Sequence, residues 1–376
     1  MSFKKVAIPL VVGAITAIIA LELKREISGF DEVSPQQEQT TEVQAVTSQL
    51  KTSPNEKKVV QPESSKGTVI AQEITECKVI DNESSEEYEN RFNRESVRLN
   101  TNIAQLDTLE SNLYKLLTDN SAPQIALEKA LLLSEKYPNN DLANYHALSL
   151  CSDDANLCSK SLVSDTTDRL SDNSAAWLLK AIYHAKKDDT AAVETAIIEA
   201  SKATAFDGLW HDYVGAISNV YQHAGDTGTQ LQDEIKMGYI SAIALPSYGS
   251  LHKVCKQASM EKLTLIEACL TAGQLLERDS KTFLAKFIGF SMQEIALEKL
   301  DRPEELSRLA TVRQAHKALI TQQTKAINLL WRNTPLRHQM LRQIIEHGEI
   351  AHAKFAIEEA IKLSNAPNVD ECQTVN

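Results

Sequence analysis

The sequence predicts an all-α protein whose helices pack as antiparallel pairs. The chain has 376 residues, enough for two ordinary domains or one long repeat array. No glycine occurs between Gly67 and Gly208, whereas a β-sandwich or β-barrel of that length would need many glycine-bearing turns. From Tyr88 onward, apolar residues recur at spacings of three, four and seven, the period of one helix face. We therefore expect a helical body over residues 84–364 and a C-terminal tail over residues 365–376.

The N-terminal segment predicts a transmembrane signal-anchor over residues 6–23, preceded by a cytoplasmic N-terminus, residues 1–5. Lys4 and Lys5 come before an uncharged run from Val6 to Leu21. A basic start with an apolar middle is typical of a signal sequence. Charged residues follow the run directly, which is a poor cleavage site. An uncleaved anchor is the first interpretation, although the run is at the short end for a membrane span. A cleaved signal peptide and a buried core helix are the alternatives.

A spacer over residues 24–83 is predicted to be disordered. From Asp31 to Glu87 there is no Phe, Tyr or Trp, so this stretch cannot bury enough apolar surface to offset the entropy of ordering it. One exception is the more apolar stretch from Thr68 to Ile80, which could dock on the body as a short segment.

Turn-forming residues divide the first part of the body at a nearly constant interval. The stretch Asp107–Asn140 is 34 residues long, Asp141–Asn173 is 33 and Ser174–Asp207 is 34. Each stretch is long enough for two helices and the turns that join them. Later helices follow at longer and less regular intervals, and about thirteen are expected in the whole body.

The third stretch, Ser174–Asp207, resembles the tetratricopeptide repeat, a helix pair of 34 residues. Trp177 stands at its fourth position, Ala181 at its eighth and Ala200 at its twenty-seventh, although Lys180 replaces the usual leucine. The resemblance extends over about 100 residues. It implies a tetratricopeptide-like α-solenoid, in which helix pairs stack on their neighbours and present a concave surface to other proteins. A generic antiparallel helical array is the alternative.

Four of the six cysteines are predicted to form two disulfides. Cys151 should end one helix and Cys158 should begin the next, which places them within the usual Cα separation of about 4.4–6.8 Å. Cys255 and Cys269 would lie about 21 Å apart in one unbroken helix, but a turn near Ser259 would allow them to bridge. Free buried thiols are the alternative. The remaining two cysteines flank the body: Cys77 and Cys372.

No motif of catalysis or cofactor binding is present. The sequence contains no H-E-x-x-H, no G-x-S-x-G, no phosphate loop and no dinucleotide fingerprint. We therefore predict no enzymatic activity, no cofactor and no metal. His146, His184 and His211 are interpreted as solvated or core-edge residues.

The strongest charge asymmetry lies near the C-terminus. Residues Leu306–Ile345 include no Asp or Glu, whereas the chain as a whole carries a net charge of −12, which argues against general nucleic-acid binding. At 100° per residue, Pro303–Trp331 forms one helix with an apolar face and a basic face. The basic residues suggest a docking surface for an anionic partner, and an ordinary solvated face is the alternative. The candidate partner-binding residues are Arg313, Lys317, Lys325, Arg332, Arg337 and Arg342.

These features predict a single-pass inner-membrane protein with its body in the periplasm, because disulfides persist in oxidising compartments. The layout resembles that of bacterial membrane-anchored periplasmic tetratricopeptide proteins, which implies a scaffold or assembly factor that binds another envelope protein. Two alternatives remain open. One is an enzyme, or an enzyme subunit, acting on an anionic envelope polymer, and the other is a cytoplasm-facing adaptor with free thiols.

Overall fold

The computed structural model describes residue 74 and residues 84–119, 121–243 and 245–365. Within these ranges the chain forms fifteen α-helices and one 3₁₀ turn, and no β-strand, so the predicted all-α class is confirmed. The predicted anchor at residues 6–23, nearly all of the spacer and nearly all of the tail lie outside the described residues. None of the helices in the described ranges combines the length and the apolar character that a membrane crossing requires.

The helices are named in chain order. They are α1 (Ser85–Ala104), α2 (Leu109–Leu117), α3 (Pro123–Lys136), α4 (Asp141–Asp153), α5 (Lys160–Arg169), α6 (Ser174–Lys186), α7 (Thr190–Lys202), α8 (Trp210–His223), α9 (Gln230–Ser241), α10 (Gly249–Gln257), α11 (Leu263–Asp279), α12 (Phe283–Lys299), α13 (Pro303–Leu330), α14 (Thr334–His347) and α15 (Glu349–Ser364). The 3₁₀ turn (Met260–Lys262) precedes α11.

Local sequence accounts for most helix starts. Ser84 and Glu87 form a reciprocal capping box at the start of α1. The side chains of Asn140, Ser159 and Asn173 each accept a hydrogen bond from an amide two or three residues further on, which satisfies a donor that the helix itself leaves unpaired. Prolines occupy the first turn of three helices: Pro123, Pro303 and Pro335.

Each of the three predicted repeat units contains one helix pair. The pairs are α2 with α3, α4 with α5, and α6 with α7. Hydrogen bonds join the start of the third unit to its end. The Asn173 side chain donates to the Asp207 carbonyl at 2.7 Å and accepts from the Asp207 amide at 2.9 Å. The Ser174 amide also donates to the Ala205 carbonyl at 2.8 Å. The 34-residue interval therefore corresponds to a closed structural unit.

The row of helix pairs does not remain an open array. Helix α7 packs directly on α11, while α8 and α9 leave the row and pack on α1, α2 and α14. Helix α8 crosses the first helices of the pairs: the Tyr221 hydroxyl lies 3.2 Å from that of Tyr114 in α2, and the Tyr213 hydroxyl lies 2.9 Å from His146 Nδ1 in α4. Helix α10 packs on α6. The first helices of the three pairs, α2, α4 and α6, thus contact later helices of the same chain.

Three apolar clusters form the core. The largest extends from α2 to α15 and is centred on α6, which is buried on nearly every side. The second joins α1, α2, α8, α9 and α14. The third lies among α13, α14 and α15 and includes Ile74, which is 6% exposed. Ile74 belongs to the apolar stretch that the sequence analysis singled out as able to dock on the body.

Helices α11 and α12 approach each other closely at two glycines. A Cβ on Gly273 would lie 2.8 Å from the Gly289 carbonyl oxygen, and a Cβ on Gly289 would lie 2.7 Å from the Gly273 carbonyl oxygen. Neither position can carry a side chain without displacing the backbone of the other helix.

Both predicted cysteine pairs lie at disulfide distance. The Cα atoms of Cys151 and Cys158 are 5.5 Å apart, and those of Cys255 and Cys269 are 6.0 Å apart. The placement of Cys158 differs from the prediction, because Ser159 caps α5 and leaves the cysteine in the preceding loop. The second pair relies on the predicted turn, since α10 ends at Gln257 and α11 begins at Leu263. Cys77 and Cys372 lie outside the described residues.

Candidate functional site

The long helix α13 carries the predicted basic surface. It has 28 residues, a length of about 42 Å at 1.5 Å per residue. It buries Leu309 near its start and Ala326, Leu329 and Leu330 near its end. Between these points the helix presents one side to α12 and α15 and the other to solvent. The predicted helix over residues 303–331 is thus present with nearly the expected bounds.

Three side chains form what we call the basic face of α13: Arg313, Lys317 and Lys325. They fall within about 120° of one another around the helix, at 100° per residue. Lys317 and Lys325 are exposed, and within the described residues the Lys317 ammonium has no acidic partner. Arg313 is half-buried and bound to Glu294 of α12 at 2.7 Å. The exposed positive charge of the basic face therefore comes mainly from its two lysines.

Of the other candidate residues, Arg332 is half-buried beyond the end of α13, and Arg342 is exposed on α14. Arg337 does not belong to a surface at all. It is 1% exposed, and its Nε donates to Asp233 Oδ2 at 2.8 Å. The partner-binding role predicted for Arg337 is wrong, because helical periodicity cannot reveal an acidic partner that lies 104 residues away in sequence.

Arg337 belongs to a buried ionic cluster that joins α14 to α9. The Lys236 ammonium lies 2.8 Å from Asp226 and 3.2 Å from Asp233. Two cations thus face two carboxylates, so the cluster is balanced. A buried ion pair of this kind becomes strongly destabilising when one partner is removed. The cluster therefore has a structural role: it holds α14 against α9.

A pocket of about 390 Å³ lies beside the first half of α13, between α11, α12 and α13. Leu275, Leu309 and Val312 contribute apolar lining. Arg308 is exposed, and its guanidinium has no ion-pair partner within the described ranges. Arg278, by contrast, is bound to the carboxylate of the adjacent residue in the chain. The lining residues are Thr271, Gln274, Leu275, Glu277, Arg278, Gln293, Arg308, Leu309 and Val312.

The lining of this pocket combines apolar side chains with two arginines and one carboxylate. Its lining includes no histidine, cysteine or serine and a single carboxylate, Glu277, which accepts a hydrogen bond from Gln293 Nε2 at 2.8 Å. A nucleophile with a base, or a pair of carboxylates, would be needed for the common hydrolytic mechanisms. An apolar floor with one unpaired cation can instead accept an apolar side chain next to an acidic one.

Sequence reasoning identified the basic face but missed the pocket. Its walls come largely from α11 and α13, whose lining residues lie at least thirty positions apart in the chain. Only the absence of acidic residues in α13 beyond its first turn gave a signal, and that signal pointed to the basic face.

The three histidines singled out in the sequence lie at the edge of the core. Burial lowers the pKa of His146 to about 4. Burial also lowers the pKa of His184, although the charge of Asp189 opposes this shift. His211 lies in the first turn of α8, between two aspartates. None of the three contributes to the basic face or to the pocket.

Comparisons of the chain with protein-family models, with curated proteins and with solved structures find no significant match.

Proposed function

We propose that this protein is a membrane-tethered scaffold or assembly factor that binds an acidic segment of another envelope protein through the basic face of α13. The observation that carries the proposal is the exposed pair Lys317 and Lys325, set on a helix of about 42 Å within a stretch of forty residues that contains no Asp or Glu. Complementary charge of this kind favours encounter with an anionic partner and selects against cationic ones.

The pocket provides apolar surface that a partner segment could bury. Exposed ion pairs each contribute little, about 0–1 kcal/mol, so a stable complex needs apolar burial as well. The pocket adjoins the basic face around the helix, since Val312 lines the pocket and Arg313 begins the face. An extended partner segment with acidic residues on one side and an apolar side chain on the other would engage both.

The location proposed for the body is the periplasm. Two cysteine pairs at disulfide distance support an oxidising compartment. The uncharged run from Val6 to Leu21, within the predicted anchor at residues 6–23, supports a tether to the inner membrane. We further infer that α2 to α7 form a tetratricopeptide-like array. In this proposal the array supports the binding helix rather than binding through a groove of its own, and the packing of α8 on α2 and of α10 on α6 supports that reading.

Reversing the charge of the basic face tests the proposal. The variant Lys317→Glu with Lys325→Glu should reduce crosslinked capture of the partner from solubilised membranes, and capture by the wild type should fall as salt rises. Both side chains are exposed, so each change should alter stability by no more than about 0.5 kcal/mol.

The matched control is Lys187→Glu with Lys202→Glu, which makes the same charge change on two exposed residues, one directly after α6 and one at the end of α7. This control should retain capture. If the basic face only balances acidic regions of the same molecule, the α13 variant will melt at a lower temperature and capture its partner normally. Normal capture at low salt would remove the basic face as a binding site.

A further inference from the structure

The turn that leads into α8 brings together three side chains that can bind a metal ion. Asp207 lies in the loop after α7, and His211 and Asp212 lie in the first turn of α8. One ligand atom from each residue lies within 4.8 Å of the others. His211 Nδ1 is 3.8 Å from Asp207 Oδ1, and His211 Nε2 is 3.5 Å from Asp212 Oδ2.

The backbone holds this turn in place. The Asp207 main chain is bound on both sides by the Asn173 side chain. Its Oδ1 accepts a hydrogen bond from the amide of Leu209 at 2.8 Å, and Leu209 has a left-handed conformation, with a φ of 51°. A turn fixed in this way presents its carboxylate in a defined direction, as a binding site requires.

One buried polar atom of the turn lacks a partner. His211 Nδ1 is buried and makes no hydrogen bond, since 3.8 Å is too long for one. Unpaired buried polar atoms are rare, and a bound ion or water is one common reason for them.

The distances suit a shared cation. Metal–ligand bonds of about 2.1 Å in tetrahedral geometry separate neighbouring ligand atoms by about 3.4 Å. An imidazole binds an ion through one of its two nitrogens, and one ligand atom from each of the three residues lies within 4.8 Å of the others. Rotation of the partly exposed His211 and Asp212 side chains would bring the three ligand atoms to the required separation.

The local charge is negative and has no cationic side chain to balance it. Within the part of the chain that the structure describes, no lysine or arginine forms an ion pair with Asp207 or Asp212. A divalent cation would offset the repulsion among them.

We propose that Asp207, His211 and Asp212 bind a divalent transition-metal ion of the first row, with water completing its coordination. One imidazole and two carboxylates suit Zn²⁺ and its neighbours. The ion would fasten the loop after α7 to the first turn of α8, the point at which the chain leaves the row of helix pairs. This site is separate from the basic face.

Zn²⁺ binding by the purified full chain, stripped with a chelator beforehand, tests the site. A competing chromogenic chelator reports stoichiometry and affinity, and thermal melting reports the effect on the fold. The wild type should bind one equivalent at this site and melt at a higher temperature with Zn²⁺. His211→Gln should bind that equivalent at least about tenfold more weakly and should not be stabilised by Zn²⁺.

His223→Gln is the matched control, because His223 is an exposed histidine at the other end of α8. It should behave as the wild type does. Asp212→Asn, on a side chain that is 43% exposed, gives a second ligand variant if His211→Gln folds poorly by circular dichroism. Wild-type affinity and Zn²⁺-induced stabilisation in both ligand variants would overturn the proposal, as would a wild type that binds no equivalent.

Discussion

Glu349 caps the start of α12 from a helix that begins 66 residues later in the chain. Its Oε2 accepts a hydrogen bond from the Phe283 amide at 2.7 Å, and its own amide donates to the Lys281 carbonyl at 2.9 Å. Burial raises the pKa of Glu349 from 4.5 to about 7. A single residue thus joins the turn between α11 and α12 to the turn between α14 and α15.

The raised pKa predicts a pH dependence of stability. Because the folded state holds the Glu349 proton more tightly than the unfolded state, the contribution of this group is complete below about pH 4.5 and is lost as the pH rises through about 7. Each unit of pKa shift corresponds to about 1.4 kcal/mol, so the whole effect is at most about 3 kcal/mol. Glu349→Gln should remove this decrease of stability between about pH 4.5 and pH 7.

Melting temperatures from pH 5 to pH 8 would reveal the difference. Glu346→Gln is the control, because Glu346 is exposed and close in sequence, and it should leave the wild-type slope unchanged. A Glu349→Gln variant whose profile parallels the wild type would show that the carboxyl titrates at its ordinary pKa.

At the scale of the element, the pair α11 and α12 depends on the contact between Gly273 and Gly289. We expect Gly289→Ala to destabilise the body by about 1–3 kcal/mol, because the added methyl group meets the backbone of α11. Gly238→Ala in α9 is the matched control, since nothing lies within 4 Å of the position of its Cβ. Alanine favours a helix over glycine, so the control should be neutral or slightly more stable.

Urea unfolding of the two variants gives the comparison directly. Equal stability of Gly289→Ala and the wild type would mean that the two helices can separate at no cost, and the contact would then have no role in the fold.

Elements are also the scale at which sequence reasoning was most accurate. Caps such as Asn140 and Asn173, and the proline at the start of α13, act within a few residues, so the pairs α2 to α7 and the long α13 were predictable. The burial of Arg337 and the walls of the pocket depend on helices that lie far apart in the chain. No local pattern encodes such contacts, and the site was therefore only half predicted.

At the scale of the whole molecule, the two cysteine pairs allow the proposed periplasmic location of the body to be tested. If the body lies in the periplasm, Cys151, Cys158, Cys255 and Cys269 should resist thiol labelling in denatured protein from intact cells and become labelled after reduction. Reduction should also destabilise the body. The 14-residue separation of the second pair corresponds to about 3 kcal/mol of loop-closure entropy. Labelling of all six cysteines without reductant would instead favour the cytoplasm-facing adaptor.

The packing of α8 on helices from both halves of the chain affects the order in which the protein should unfold. A linear repeat array unravels from its ends, one unit at a time, since each unit touches only its neighbours. Here α8 joins α2, about 100 residues before it, to α14, about 120 residues after it. Unfolding of either α2 or α14 therefore exposes apolar surface on α8. The unfolding of α2 and the unfolding of α14 are coupled through that helix. The same closure means that the first helices emerging during synthesis must wait for α8 before their packing is complete.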